Sequence, residues 1–325
     1  MFESIKFQNL KALRDATLPL SRFTLIVGPN GSGKSTALNA FLALNDPRLL
    51  VDNRSAGAPN SESVSLTAVW SSAKTNCRVT VEWNPKKGWN YPSFAGDNSE
   101  VFHVLGRSHF YSLDALSIAA SVELQPNMEL AHSGANLAGV LDRLRDQNPE
   151  KFEALNAQLG HWIPEFDRVL FETPQAGRRS ISLRTREGGH VIKAGNLSQG
   201  TLIAVGMLTI AYLPEPPSIV CLEEPDHGLH PRLLRDVRDA LYRLAYPEGS
   251  QEKRAPVQVI ATTHNPYFLD LFREHPEEIV IAEKVGLEAK FSRLSDRSDL
   301  EEILGDAPLS EVWYSGVLGG VPVGT

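Results

Sequence analysis

The chain has 325 residues and a mass of 35.7 kDa, with 42% hydrophobic residues, 22% charged residues and a formal net charge of −7. This composition excludes a largely disordered chain, a collagen-like repeat and a small disulfide-stabilised protein, and the length is sufficient for a sizeable core. The acidic balance excludes a generally basic coat for nucleic acid, although it is compatible with a local basic patch.

Three sequence features predict a cytoplasmic protein without a membrane partner. Cys77 and Cys221 are far apart and form no metal-ligand spacing, which is typical of a reducing compartment. Glu3 and Lys6 interrupt the start of the chain, so we expect no secretory leader. The longest apolar run, near residues 202–213, is too short to cross a bilayer.

The first half of the chain has short apolar runs separated by polar loops, a pattern that favours strands. From the amino terminus, the predicted elements are an edge strand at 2–10, an apolar strand at 23–27, a helix at 36–44, an antiparallel pair at 65–70 and 77–83, and buried strands at 101–105 and 110–111.

The second half alternates helical and strand patterns. Its predicted elements are helix at 136–162, strands within 168–193, a buried helix at 202–213, a strand at 218–222, a helix at 233–245, a strand at 257–261, a helix at 266–273, and final strands at 279–283 and 289–294. Alternation of this kind predicts an α/β fold with a mostly parallel sheet.

The segment 28–35, GPNGSGKS, matches the phosphate-loop pattern G-x-x-x-x-G-K-[ST] between a predicted strand and a predicted helix, which is the context that the motif requires. Its backbone amides would bind phosphate, Lys34 would reach the β- and γ-phosphates, and Ser35 would hold Mg²⁺. A chance glycine-rich turn is the alternative, and the flanking elements argue against it. The predicted nucleotide-binding residues here are Asn30, Gly31, Ser32, Gly33, Lys34, Ser35 and Thr36.

An apolar strand at 218–222 ends in two carboxylates, Glu223 and Glu224, followed by Pro225. After a phosphate loop, such a strand end is where a metal-side acid is expected, so Glu223 would bind Mg²⁺ and Glu224 would orient the attacking water. Taken alone, the same pattern fits a solvated strand end with two ordinary glutamates.

Two weaker motifs follow the same order. In LSQGT, Ser198 suits a helix N-cap and Gly200 would let a phosphate approach the helix start, although by itself the motif fits a plain cap better. In TTHNP, His264 follows a buried strand and could sense the γ-phosphate, although a lone histidine is more often structural.

The ordered set GPNGSGKST, LSQGT, hydrophobic-EEP and TTHNP resembles the ABC-type ATPase superfamily, on its SMC/RecF/OLD side. The opening IKFQNLKALR looks like the first strand of those heads. The segments EEPDHGLHP and TTHNPYFLD and the ending LSEVWYSGVLGG are similar to small stand-alone bacterial "AAA family" ATPases. The resemblance covers essentially the whole chain.

The resemblance implies a single domain over residues 1–325, an α/β P-loop NTPase built as an ABC-type ATPase head with a mixed sheet, an antiparallel β subdomain and an inserted helical lobe. The nucleotide-binding lobe would comprise residues 1–112 and 198–325, with the helical lobe at about 113–165 and a β segment at about 166–197. It also implies a head-to-head homodimer, or a higher oligomer, holding two ATP molecules. Ser198 and Gly200 of one subunit would touch the γ-phosphate bound by the other, and His264 would match the switch histidine.

Several positions depart from the family pattern. Glu223 stands where an aspartate is usual, and the signature is LSQGT rather than the transporter-type LSGGQ. A glutamine loop cannot be placed beyond Gln125 as a weak candidate. No long coiled coil is present, and the segment after His264 is too short for the nuclease domain fused to OLD proteins.

The predicted function is Mg²⁺-dependent ATP hydrolysis that drives dimer closure and opening, coupled to a nucleic-acid-directed partner in bacterial defence or DNA repair. The effector, expected to be a nuclease, would be a separate chain, and direct DNA contact stays open. One alternative is a non-hydrolysing, ATP-gated scaffold or sensor. Another is a transporter ATPase subunit, against which the LSQGT and GLHP segments argue.

A locally basic stretch lies before the LSQGT motif. A solvated sheet face is the more common interpretation of such a pattern, and contact with phosphates of nucleic acid or of a partner's nucleotide is the functional alternative. The residues are Arg178, Arg179, Arg184, Arg186 and Lys193.

Overall fold

The computed structural model describes residues 1–59, 62–73, 75–250, 252–305 and 307–318. Gly319 and Gly320, which end the carboxyl-terminal motif noted above, lie outside the described residues. The chain forms two compact units. The first comprises Met1–Phe110, Pro217–Glu224 and the chain from Pro256 onward, and the second comprises Tyr111–Pro216 and Pro225–Ala255.

The strands, in chain order, are β1 (Phe2–Leu10), β2 (Leu13–Pro19), β3 (Phe23–Val27), β4 (Val64–Ser71), β5 (Asn76–Asn84), β6 (Gly88–Trp89), β7 (Ser93–Gly96), β8 (Ser108–Tyr111), β9 (Val122–Glu123), β10 (Phe166–Glu172), β11 (Arg178–Thr185), β12 (Val191–Lys193), β13 (Ile219–Leu222), β14 (Gln258–Thr263), β15 (Ile279–Val285) and β16 (Glu288–Arg293).

The α-helices are α1 (Lys34–Asn45), α2 (Ser99–Gly106), α3 (Ala115–Ala119), α4 (Leu137–Gln147), α5 (Pro149–Trp162), α6 (Gln199–Tyr212), α7 (Leu234–Ala245), α8 (Pro266–Asp270), α9 (Leu300–Ile303) and α10 (Leu309–Tyr314). Among the described residues, no helix is both long enough and apolar enough to span a membrane.

An antiparallel sheet in the first unit has the strand order β2-β1-β4-β5-β6, with β7 also paired to β5. The predicted pair of strands at 65–70 and 77–83 is confirmed by β4 and β5. The prediction of an edge position for the first strand is wrong, because β1 is flanked by β2 on one side and β4 on the other. A tight reversal pairs Leu10 with Leu13 and brings β2 back along β1, a pairing that strand periodicity alone does not reveal.

The second sheet of this unit has the order β16-β15-β3-β14-β13-β8. Strands β13, β14, β3 and β15 are mutually parallel where they pair, and β16 is antiparallel to β15, so the expected mixed sheet is confirmed. The register aligns Leu222 with Ala261 and Thr263 with Val27. The loops that follow β3, β13 and β14 therefore start at the same edge of the sheet, where ligands bind in open α/β sheets.

Two predicted elements of the first unit differ from the structure. The segment 101–105 belongs to helix α2 rather than to a strand, because its buried residues Val101 and Leu105 are spaced by one helical turn. A short apolar run does not distinguish the two conformations. Helix α8 ends at Asp270 rather than at 273, and the chain continues in tighter turns in which Phe272 N donates to Leu269 O.

The second unit combines helices α3–α7 with an antiparallel sheet of order β10-β11-β12, to which β9 adds through β11. Pro149 begins α5, where its missing N–H is tolerated. Helix α6 is buried at every residue from Thr201 to Tyr212. Residues 198–216 and 225–255, which the sequence interpretation assigned to the nucleotide-binding lobe, are part of this unit because α6 packs on α3, α5 and α7.

Candidate nucleotide-binding site

The phosphate loop connects β3 to α1 and depends on its glycines. Gly31 and Gly33 have φ values of 77° and 89°, in the left-handed region that side chains with a Cβ rarely adopt. A Cβ at Gly28 would lie 2.5 Å from the Ala282 carbonyl oxygen and 2.7 Å from Ser32 Oγ, so no larger residue fits there. The conformation of the loop therefore depends both on the positive φ values of its glycines and on close packing at Gly28.

Lys34 is the first residue of α1 and is only 7% exposed. Its Nζ donates to the carbonyl oxygens of Gly28, at 2.7 Å, and Pro29, at 3.0 Å, which folds the ammonium back over its own loop. Burial lowers the pKa of Lys34, and the carboxylates of Glu224 and Glu223 act in the opposite direction. The result is a cation placed inside the loop, where a phosphate would replace weaker carbonyl partners.

Ser35 and Glu223 meet across the edge of the parallel sheet. Ser35 Oγ donates to Glu223 Oε1, although the two residues are far apart in the sequence. A hydroxyl and a carboxylate suit Mg²⁺, which binds few protein oxygens and completes its shell with substrate phosphates and water. No group of three or more His, Cys, Asp or Glu side chains placed to hold a metal occurs in the described ranges.

Glu224 and His264 form a second, separate pair. His264 Nδ1 lies 2.8 Å from Glu224 Oε1, and the side chains are 52% and 28% exposed, respectively. The backbone at Glu224 has a φ of 44°, an uncommon value for a residue with a Cβ, and its N–H donates to Thr262 Oγ1 at 3.2 Å. Adjacent glutamates therefore have different partners, which suits two different roles.

The loop also contains a buried polar atom that fits a phosphate ligand. Ser32 is 0% exposed, and its Oγ has no hydrogen-bond partner among the described residues. A buried hydroxyl without a partner is costly, and a ligand oxygen would satisfy it. Asn30 is exposed near the loop tip, and Thr36 is half-buried in the first turn of α1.

Thr262, the first residue of the TTHNP motif, also contributes to this site, and so does the β15–β16 hairpin, to which no local motif in the sequence pointed. Strand β15 runs parallel to β3 and pairs Ile281 with Val27, so the chain beyond Ile281 follows the phosphate loop. Ala282 closes against Gly28, and Ala289 of β16 lies 3.6 Å from the position of a Cβ at Gly33. The contribution of the hairpin depends on the register between β15 and β3, which the sequence of neither strand alone reveals.

The remaining predicted residues lie in the second unit. Ser198 is exposed and caps α6, accepting a hydrogen bond from Thr201 N at 3.1 Å, as the motif predicted. A Cβ at Gly200 would lie 2.8 Å from the Gly228 carbonyl oxygen, so packing alone requires glycine there. Gln125 is exposed in the loop after β9. Their contacts with a nucleotide stay predictions.

The basic stretch is engaged within the second unit. Arg184 donates both 2.9 Å hydrogen bonds of a bidentate pair with Asp167, and Arg179 pairs with Asp142 at 3.1 Å. The other partners are Ser121 for Arg178, Gly160 O for Arg186 and Glu172 for Lys193. These contacts favour the interpretation as a sheet face over that of a phosphate-binding surface.

Two family models match the sequence. One is described as "AAA domain, putative AbiEii toxin, Type IV TA system" and matches residues 92–270, and the other is described as "AAA ATPase domain" and matches residues 1–84. A curated OLD nuclease of Thermus scotoductus is 25% identical over 362 aligned positions, covering 93% of this chain. The chain spans 66% of the length of that relative.

Solved structures share the fold. The SMC head bound to the C-winged helix domain of ScpA has a TM-score of 0.61 at 16% identity, covering 90% of this chain and 96% of that one. The SMC head domain from Thermotoga maritima has a TM-score of 0.53 at 20% identity, covering 90% and 98%. An Smc head with a coiled coil and joint from Pyrococcus yayanosii has a TM-score of 0.60 at 14% identity, covering 93% and 98%.

The predicted mixed-sheet ABC-type head is confirmed by these SMC heads, and the OLD relative agrees with the predicted side of the superfamily. The first family model covers more than half of the residues and includes the LSQGT, EEP and TTHNP motifs, while the second includes the phosphate loop. The chain therefore belongs to the AAA domain family described by the first model, as an SMC/RecF/OLD-like ABC-type ATPase.

Proposed function

We propose that the chain hydrolyses ATP in a Mg²⁺-dependent cycle that closes and opens a head-to-head dimer. The observation that carries this proposal is the separation of the two glutamates: Glu223 bonds to the phosphate-loop serine, and Glu224 bonds to His264. A protein that only bound ATP would need the first pair, whereas the second supplies a base for water.

Each side chain then has one task. Lys34 binds the β- and γ-phosphates of ATP, and Ser35 and Glu223 hold the metal ion. Bound Mg²⁺ would neutralise phosphate charge and fix its orientation. Glu224 accepts a hydrogen bond from the attacking water and takes its proton, while His264 fixes the Glu224 carboxylate and responds to the γ-phosphate.

Dimer closure rests on the exposed start of α6. The N–H groups at a helix start, together with the helix dipole, favour an anion, and Ser198 and Gly200 stand at this start. We assign this surface to the γ-phosphate of ATP bound by a second copy of the chain. The shared fold with SMC heads is compatible with this arrangement.

The biological role belongs to the same proposal. The family description names a toxin of a toxin–antitoxin system, and the curated relative is named a nuclease. These names are compatible with the role that we propose, a cytoplasmic task directed at nucleic acid, in defence against foreign elements or in DNA repair. We propose that the ATP cycle controls a separate effector chain with nuclease activity.

The test measures ATP binding and phosphate release by the full chain. Lys34→Ala should abolish ATP binding, because it removes the cation inside the loop, whereas Lys290→Ala should leave binding and turnover at the wild-type level. Thermal unfolding checks that both variants are folded. If folded Lys34→Ala binds ATP like the wild type, the phosphate-loop assignment is wrong. If the wild type binds ATP but releases no phosphate, with or without DNA, the ATP-gated scaffold is correct instead.

A further inference from the structure

The β15–β16 hairpin places a second lysine beside the phosphate loop. Side chains alternate along a strand, so Ala282 and Lys284 lie on the same face of β15. Ala282 packs against Gly28 at one end of the loop. Lys284 Nζ lies 3.9 Å from the position that a Cβ would take at Gly31, near the other end. One face of β15 thus lies along the phosphate loop, with Ala282 beside Gly28 and the Lys284 ammonium beside Gly31.

The two lysines at this loop are in different states. Lys34 is buried and donates to two backbone carbonyl oxygens. Lys284 is exposed, and its ammonium makes no hydrogen bond or ion pair with any residue that the structure describes. The charge of an exposed lysine usually contributes little interaction energy. Lys284, however, lies beside the tip of an anion-binding loop.

The charge balance at the site favours a second cation near the phosphate loop. Glu223 and Glu224 face Lys34, so these three side chains carry two negative charges and one positive charge. A nucleoside triphosphate adds further negative charge, and Lys34 together with a bound Mg²⁺ would balance only part of the total charge of the phosphates and the two carboxylates. Lys284 can bring a further cation to the loop from the hairpin side.

We infer that Lys284 is a second phosphate-binding lysine, which makes the site favour nucleoside triphosphates over diphosphates. This inference rests on the proposed ATP site. The extra phosphate of the triphosphate adds charge within reach of the exposed ammonium, so the triphosphate gains more from Lys284 than the diphosphate does. The lysine binds and does not take part in proton transfer.

The experiment compares the affinities of ADP and of the β,γ-imido analogue of ATP, measured by calorimetry on the full chain. Lys284→Ala should weaken binding of the ATP analogue by about tenfold, as expected for a lost charged hydrogen bond, and should affect ADP less. Lys284→Arg should restore the preference. Lys290→Ala is the matched control, since it removes the same charge from the same hairpin at a position opposite Glu283. The difference between Lys284→Ala and the wild type should shrink at high salt, because exposed charges are screened.

The two proposals fail in different ways. If the wild type does not bind the ATP analogue, or if Lys34→Ala binds it normally, the ATP site itself is wrong and Lys284 has no ligand there. If the wild type binds it, Lys34→Ala does not, and Lys284→Ala behaves like Lys290→Ala, only the role of Lys284 is overturned. Equal losses for ADP and for the ATP analogue in Lys284→Ala would overturn the preference for triphosphate.

Discussion

In the first unit, the candidate site joins side chains that are distant in sequence, whereas in the second unit the predicted signature residue Ser198 forms its hydrogen bond within a short segment. Ser35 meets Glu223 and Glu224 meets His264 only once three parallel strands are aligned. Ser198, by contrast, accepts its hydrogen bond from Thr201 in the first turn of the same helix. The first arrangement requires tertiary structure, and the second requires only a helix.

Because of this difference, the two units are expected to contribute differently to ATP binding and turnover. The first unit holds the loop cation, the proposed metal ligands and the candidate base, so a change there should act directly on ATP binding or turnover. The second unit offers the N–H groups of a helix start, one of which, at Thr201, is capped by the Ser198 side chain. A change there should leave ATP binding by the first unit intact and affect only what a second copy completes.

The largest expected effect comes from Glu224→Gln. A general base contributes about 10²–10⁴-fold, so turnover should fall by that order while ATP still binds. The ATP-bound dimer should accumulate, because in the proposed cycle closure precedes hydrolysis and opening follows it. Glu223→Gln should instead raise the Mg²⁺ concentration that is needed for ATP turnover, since Glu223 bonds to Ser35, the other proposed metal ligand. Phosphate release, nucleotide affinity and size-exclusion chromatography with Mg·ATP measure these outcomes.

The two glutamates serve as controls for each other, because both substitutions remove one carboxylate charge from neighbouring positions. If Glu224→Gln turns over ATP at nearly the wild-type rate while Glu223→Gln accumulates the dimer, their roles are reversed. If both variants behave alike in all three measurements, the difference in their partners has no functional meaning.

A smaller effect is expected from Gly28→Ala in the first unit and from Gly200→Ala in the second, each of which adds one methyl group. A Cβ would lie 2.5 Å from Ala282 O at Gly28 and 2.8 Å from Gly228 O at Gly200, so each alanine variant should lose about 1–3 kcal/mol of stability. Only Gly28→Ala should also lose ATP binding, because only that glycine shapes the phosphate loop. Thermal unfolding and ATP titration of both variants test this. ATP binding lost equally in both would contradict the separation.

The sequence predicted the parts of the site that carry local signals. The phosphate loop has a fixed spacing, the strand before Glu223 is fully apolar, and Ser198 precedes a helix as caps do. Each signal lies within a few residues, so no knowledge of chain folding was needed. The family order of these motifs then indicated the overall fold.

The parts that escaped prediction depend on pairing between segments. Lys284 is an ordinary lysine in the sequence and gains significance only because β15 pairs with β3. The inner position of β1 similarly depends on its second neighbour, β4, which begins more than fifty residues later. The membership of α6 in the second unit follows from its packing on α3, α5 and α7, which its apolar composition does not specify.

The central claim, that a first unit is completed by the signature segment of another copy, is tested most directly by mixing two inactive variants. Lys34→Ala removes the phosphate-binding cation, and Ser198→Asp keeps the helix cap but sets a negative charge against the γ-phosphate. A mixed dimer then has one site with both defects and one intact site. Equal mixing should restore about a quarter of wild-type turnover if the two sites of a symmetric dimer act independently. No recovery, with mixed dimers demonstrated by differently tagged subunits, would contradict the shared site.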